Sequence, residues 1–181
     1  MTPPGCTVEV LHTADLPRPT RLAARALLDE VFAGEMTDDE WDHCLGGLHA
    51  LAWEGDALVG HAAVVQRQLG HAGRAWRTGY VEGVAVRADR RRRGYGSALL
   101  DPIERVIRGA YDLGALGSSD DGVPFYTARG WTPWRGPTWA VTPDGRRRTA
   151  ADDDGVFVLD PPDGFDVRGE LTCDWRAGDL W

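Results

Sequence analysis

Gly79-Tyr80-Val81-Glu82-Gly83-Val84-Ala85-Val86-Arg87-Ala88-Asp89-Arg90-Arg91-Arg92-Arg93-Gly94-Tyr95-Gly96-Ser97-Ala98-Leu99-Leu100 is the stretch that decides the fold. Residues 76–86 read as a strand, a loop of arginine and glycine follows, and an amphipathic helix opens straight out of it over residues 94–110. Leu99, Ile103, Val106 and Ala110 would form its buried face. An apolar strand at 113–116 comes next, and strand–helix–strand implies a parallel pair with a right-handed crossover. Glycines at the helix start let a ligand approach the backbone, while the first-turn amides and the helix dipole favour an anion. Arginine forks add contacts to phosphate oxygens, so the loop suits a pyrophosphate. A Walker loop would need Lys-Ser/Thr after its last glycine, and a dinucleotide loop a third glycine where Leu99 stands.

Outward from this centre, residues 7–11 read as an opening strand and 17–32 as a helix with Ala24, Leu27, Leu28, Val31 and Phe32 on one face. Thr37-Asp38-Asp39-Glu40 matches a capping box. Residues 49–53 and 57–69, joined at Gly55-Asp56, form a predicted hairpin, and His71-Ala72-Gly73 turns the chain into the central strand. A brief helix at 123–129 stops at Gly130, and strands are expected at 139–141, 156–159 and 170–175. Pro102 deletes one amide hydrogen bond and crowds the Ala98 carbonyl, which predicts a kinked helix or a later helix start. The fold class is α+β: one domain over residues 1–181, a mostly antiparallel mixed sheet with a central parallel pair, and helices on both faces.

The chain has 181 residues and a net charge of −8, which argues against nucleic acid or an anionic membrane as partner and is compatible with a small cation. All 20 basic residues are arginine, which we attribute to genomic composition. Residues 29–42 hold seven carboxylates and no arginine, and residues 151–181 hold nine against two arginines. No apolar run reaches membrane-spanning length, and the start lacks the pattern of a secretory signal. Cys6, Cys44 and Cys173 have no metal-ligand spacing and suit a reducing cytoplasm, so no metal is expected.

The pattern Arg91-x-x-Gly94-x-Gly96, with its strand, its helix and a downstream Tyr126, resembles the acyl-CoA loop of the GNAT acetyltransferase superfamily. The segments 32–35, 45–51, 79–89, 108–111, Tyr126-x-x-Arg129-Gly130-Trp131-x-Pro133-Trp134, 152–155 and Cys173-Asp174-Trp175-Arg176-Ala177-Gly178-Asp179-Leu180-Trp181 are similar to aminoglycoside 2′-N-acetyltransferases. That resemblance implies acetyl transfer from acetyl-CoA to the 2′-amine of an aminoglycoside, in a cytoplasmic homodimer. Two alternatives stand beside it: a GNAT enzyme acting on another cationic amino sugar, and a non-catalytic binder of the drug or of acetyl-CoA. The second has no need of a paired base and acid.

Within the resemblance, Glu82 is the base that deprotonates the amine and Tyr126 the acid that protonates the departing thiolate. Val84, Ala85 and Val86 offer backbone to the pantetheine arm, and Arg91, Arg92, Arg93, Gly94, Tyr95, Gly96 and Ser97 hold the phosphates. Glu35, Glu82, Gly83, Gly117, Asp152, Asp153, Gly178, Asp179 and Trp181 surround the cationic sugar. The family more often has Asp where this chain has Glu35, and some relatives have Ser where it has Gly117.

Overall fold

The structure, a computed structural model, describes residues 3–181. The chain divides into two compact units, Met1–Val65 with Val81–Arg105 and Gln66–Tyr80 with Val106–Trp181.

The first unit opens with strand β1 (Cys6–His12), then helices α1 (Arg18–Val31) and α2 (Asp38–His43) and the hairpin β2 (Leu48–Glu54) and β3 (Ala57–His71). β2 pairs antiparallel with both β1 and β3. Proline at the first turn of α1 costs no hydrogen bond, and Ala24, Leu27 and Leu28 are its buried face. At α2, Thr37 accepts from the Glu40 amide and Glu40 accepts from the Thr37 amide, the expected capping box. Leu28, Cys44, Ala63 and Ala85 form one core cluster and Leu16, Ala24 and Leu51 another. The unit continues with the last residues of β4 (Arg74–Val86) and most of α3 (Tyr95–Ala110).

Two readings of α3 need correction. It runs unbroken from Tyr95 through Pro102, so the later start is excluded. Its buried residues are Tyr95, Ala98, Leu99, Leu100, Ile103, Glu104 and Ile107, whereas Ala110 is exposed. The lost hydrogen bond and the crowding at Pro102 cost about 3 kcal/mol, and the burial of Leu99, Leu100, Ile103 and Ile107, about 1.5–3 kcal/mol each, outweighs that together. Leu99 also packs so close to Gly60 that a Cβ there would lie 2.9 Å from its Cδ1.

In the second unit, β5 (Leu113–Gly117) pairs parallel with β4 from Thr78 to Tyr80, the central parallel pair expected from strand–helix–strand. A Cβ on Gly79 would meet Ile107 and Tyr111 at 2.8 Å, so this glycine lets the end of α3 lie tightly on the strand. Helix α4 (Val123–Ala128) ends before Gly130, whose φ of +89° is the left-handed turn expected there. Strands β6 (Thr132–Pro133), β7 (Thr138–Thr142), β8 (Gly145–Arg148), β9 (Val156–Leu159) and β10 (Leu171–Cys173) complete the unit. Neither β6 nor β8 was expected, nor was the second parallel pair, β10 with β7. His71, Trp76, Trp134 and Phe165 form an aromatic cluster at the end of β3 and start of β4.

Candidate active site

In the first unit, β4 ends at Val86, a single 3₁₀ turn covers Ala88–Arg90, and α3 begins five residues later. Arg92 and Gly94 take left-handed backbone (φ +62° and +92°), which folds the loop back onto the helix start. Arg91, Arg92, Arg93 and Gly94 are exposed, which places three guanidinium groups beside the N-terminus of a sixteen-residue helix. Arg90 is different. Its Nε donates to both oxygens of Glu54 at 2.9 Å, and its other end donates to Asp89 at 2.7 Å. Only 3% of Tyr95 is exposed, and its phenol donates to Glu54. That bond and then Arg90 hold the Glu54 carboxyl below its usual range. Tyr95 therefore clamps the helix start from inside, and only its backbone remains for a phosphate.

Glu82 lies half-buried on β4 between Val81 and Gly83, followed by half-buried Val84, buried Ala85 and half-buried Val86. Gly83 has a φ of +55°, and a Cβ there would sit 2.7 Å from Cys44 Sγ, so no other residue fits without displacing the core. In the second unit, Tyr126 on α4 is 7% exposed and packs edge-on against Trp131, with Phe157 beside it. Burial pushes its phenol up to about 12, partly opposed by Arg129. The phenol therefore keeps its proton throughout the neutral range.

Residues 14–134 match the family model for the acetyltransferase (GNAT) domain. The chain is 49% identical over 179 residues to an aminoglycoside 2′-N-acetyltransferase of Mycolicibacterium fortuitum, covering 97% of this chain and 92% of that one. The chain belongs to the aminoglycoside 2′-N-acetyltransferase family of GNAT enzymes. Among solved structures, it shares the fold of Escherichia coli ElaA (TM-score 0.59, 18% identity, 86% of this chain and 99% of that one). It likewise resembles an acyl-CoA N-acyltransferase from Pseudomonas aeruginosa (TM-score 0.60, 16% identity, 85% and 99%). Among the described residues no group of three or more His, Cys, Asp or Glu is placed to hold a metal ion.

In this GNAT chain the ion pairs sort the carboxylates of the two acidic runs. Arg25 binds Asp29 and Asp38, each at 2.9 Å, and Glu40 is spent in its capping box, whereas Glu35 is exposed on the loop after α1. In the C-terminal run Asp174 pairs with Arg67, Asp160 with Arg108 and Glu170 with Arg146. Asp153 is bonded to Arg148 and accepts from the amide and hydroxyl of Thr138 at 3.0 and 2.9 Å. These bonds, the one from Arg148 foremost, pull its carboxyl down to about 2. Asp153 is therefore a strut for β7. Asp152 behaves in the opposite way: burial first, then the charge of Asp179, raises its pKa. Two carboxylates that repel one another across a half-exposed site gain most from a cation placed between them.

The C-terminal tail is fastened by buried groups. Arg67, 4% exposed, donates to Asp174 Oδ1 at 2.8 Å, to the Asp174 carbonyl at 3.0 Å and to the Leu180 carbonyl at 2.8 Å. The Trp181 indole donates to Thr149 at 2.9 Å. A Cβ on Gly117 would lie 3.4 Å from the backbone carbonyl carbon of Trp181, so a small side chain there would touch Trp181. Arg67→Ala is expected to destabilise the fold by about 2–4 kcal/mol, because it leaves buried acceptors unpaired, and to raise KM for a cationic substrate by loosening the tail. Urea unfolding with steady-state kinetics checks both; an unchanged midpoint would contradict the clamp.

Sequence reasoning missed a buried pair beneath Gly83. His49 and His61 are fully buried, with rings 5.2 Å apart. Burial, then the charges of His61, Arg21 and His12, lowers His49 to about 3, and burial lowers His61 to about 4 against the bond to the Gly83 carbonyl. Below pH ~6.5 the unfolded chain takes up two protons that the folded chain refuses until these lower values. Stability present above pH ~6.5 is therefore lost on acidification, by about 2–3 kcal/mol per pH unit near pH 5 from this pair. Denaturant midpoints at pH 7, 6 and 5 measure it, and a flat profile would contradict neutral burial.

Proposed function

We infer that the chain transfers the acetyl group of acetyl-CoA to the 2′-amino group of an aminoglycoside. The observation that carries this is the 49% identity, over almost the whole chain, to an enzyme of that name. The local chemistry supports it. The exposed loop 91–94 and the first turn of α3 offer amides and guanidinium groups to the CoA pyrophosphate, and the backbone of Val84–Val86 offers donors and acceptors to the pantetheine arm. Glu82 takes the proton from the attacking amine, directly or through a water, and Tyr126 returns a proton to the thiolate. Because Tyr126 is held as the neutral phenol, a proton is always in place when the thiolate leaves. Glu35, Asp152, Asp179, Trp181 and the backbone at Gly83, Gly117 and Gly178 receive the ammonium and hydroxyl groups of the sugar. A carboxylate about 4 Å from an ammonium contributes about 1–4 kcal/mol between the dielectric of water and that of a protein surface.

The reading includes one GNAT domain over residues 1–181, a homodimer and a cytoplasmic location. Three free thiols are compatible with the last, and among the described residues no helix is long and apolar enough to cross a membrane. The test is thiol release from acetyl-CoA with a panel of drugs. Tobramycin and gentamicin, which carry a 2′-amine, should turn over, whereas amikacin and kanamycin A, with a 2′-hydroxyl, should not. Equal turnover of both groups would leave acetyl transfer intact and remove the 2′ assignment.

A further inference from the structure

Beneath β4 a continuous hydrogen-bonded chain runs through the core of the first unit. His61 Nδ1 lies 2.7 Å from the Gly83 carbonyl oxygen, His61 Nε2 lies 2.9 Å from His49 Nδ1, and His49 Nε2 lies 2.8 Å from Thr13 Oγ1. The direction of the chain is dictated at one end. A carbonyl only accepts, so His61 must carry its proton on Nδ1 and accept at Nε2. With both buried rings neutral, His49 then donates from Nδ1 and accepts at Nε2, so the Thr13 hydroxyl donates to it at 2.8 Å in preference to its longer contact, 3.2 Å, with the Gly47 carbonyl. Thr13 Oγ1 in turn accepts from the Gly46 amide at 2.9 Å. Trp41 flanks both imidazoles, with ring centroids 6.4 and 6.3 Å away.

A carbonyl oxygen cannot pass a proton onward, so the chain is not a route for the proton removed from substrate. What it can do is hold an orientation. Gly83 sits in left-handed backbone in the middle of a strand, against Cys44 and His61, and its carbonyl is the acceptor on which the whole chain converges. The neighbouring residue is Glu82, and residues 84–86 follow directly. We propose that Thr13, His49 and His61 are positioning residues that fix the Gly83 carbonyl and, with it, the backbone that carries Glu82. The inference rests on Glu82 and Gly83 facing the reacting amine.

The test uses two variants and one spectrum. His61→Leu removes the donor to Gly83, whereas His61→Asn places an amide N–H near the position of Nδ1 and keeps it. With His61→Leu, kcat for a 2′-amino aminoglycoside should fall about 10–100-fold, the loss expected from misplacement of a reacting group by about 1 Å, with acetyl-CoA affinity unchanged. His61→Asn should recover most of the loss. In the parent protein, imidazole ¹⁵N spectra at pH 7 should show both His49 and His61 as neutral Nδ1–H tautomers. Equal activity of the Leu and Asn variants would overturn the proposal, and so would an Nε2–H tautomer or a charged ring at either histidine. Should Glu82→Gln keep the parental kinetics while the two His61 variants still differ, the base assignment falls and the positioning of Gly83 stands. Should Glu82→Gln lower kcat while the two do not differ, the base stands and the positioning role falls.

Discussion

Replacing Glu82 with Gln is expected to lower kcat by about 10²–10⁴-fold, the usual worth of a positioned general base. The substitution keeps shape and most hydrogen bonding and removes only the basic oxygen. Loss should be greatest at low pH. Aminoglycoside amines titrate near neutrality, so at high pH a growing fraction of substrate arrives deprotonated and no longer needs the base. Asp179→Asn is the comparison. Asp179 is exposed on the tail and attracts cation without accepting its proton, so its loss should raise KM with a smaller effect on kcat, and high salt should imitate it. The pH–rate profile separates the two. If both variants keep the parental profile with only KM changed, Glu82 is one more anionic contact.

The second large effect is expected at the helix start. Gly96→Glu should weaken acetyl-CoA binding by at least about 10²–10³-fold. A carboxylate about 4 Å from a pyrophosphate costs roughly 4 kcal/mol per charge at an effective dielectric near 20, and a factor of ten is about 1.4 kcal/mol. Gly96 is the better probe than Gly94, because Gly94 has a φ of +92° and any side chain there would strain the loop as well. Gly96→Ala adds bulk without charge and should cost far less. Calorimetric titration with acetyl-CoA, on protein shown to be folded by circular dichroism, measures the difference; equal affinity for the Glu variant and the parent would contradict the loop assignment.

Most of the fold was legible because the signals were local. The capping box at Thr37–Glu40, the turn at Gly55-Asp56 and the left-handed glycine at 130 are each dictated by side chains within a few residues. What escaped was either short or long-range. β6 is two residues, and β8 is Gly-Arg-Arg-Arg, paired on β7 but mostly exposed, so it shows no apolar alternation. The parallel pairing of β10 with β7 joins segments some thirty residues apart, which periodicity cannot register. On α3 the expected face erred at Ala110 because the buried stripe follows Leu99, Ile103 and Ile107, with Leu100 and Glu104 beside it.

The candidate site divides along the same line. The passage from β4 through an exposed loop into α3 was readable from its glycines and arginines, whereas the partners of individual charges were not. Sequence shows that Asp152 and Asp153 are adjacent; only the folded chain shows one bonded to Arg148 and the other facing the charge of Asp179. Tyr95, expected among the residues at the phosphates, donates its phenol to Glu54, and the neighbouring Arg90 pairs with the same carboxylate. His49 and His61 carry no sequence signal beyond two isolated histidines on apolar strands, and their link to Gly83 spans 22 residues. An imidazole with both nitrogens partnered inside a core, close to a proposed base, is the pattern that would have drawn attention to them.

The position of the acetyl group on the product tests the central claim most directly. Tobramycin should be incubated with the protein and acetyl-CoA, and the product purified and assigned by two-dimensional NMR. A single acetyl on the 2′-nitrogen, formed in step with free CoA, is the predicted result. Acetylation at a different amine, or no acetylated product, would contradict the account.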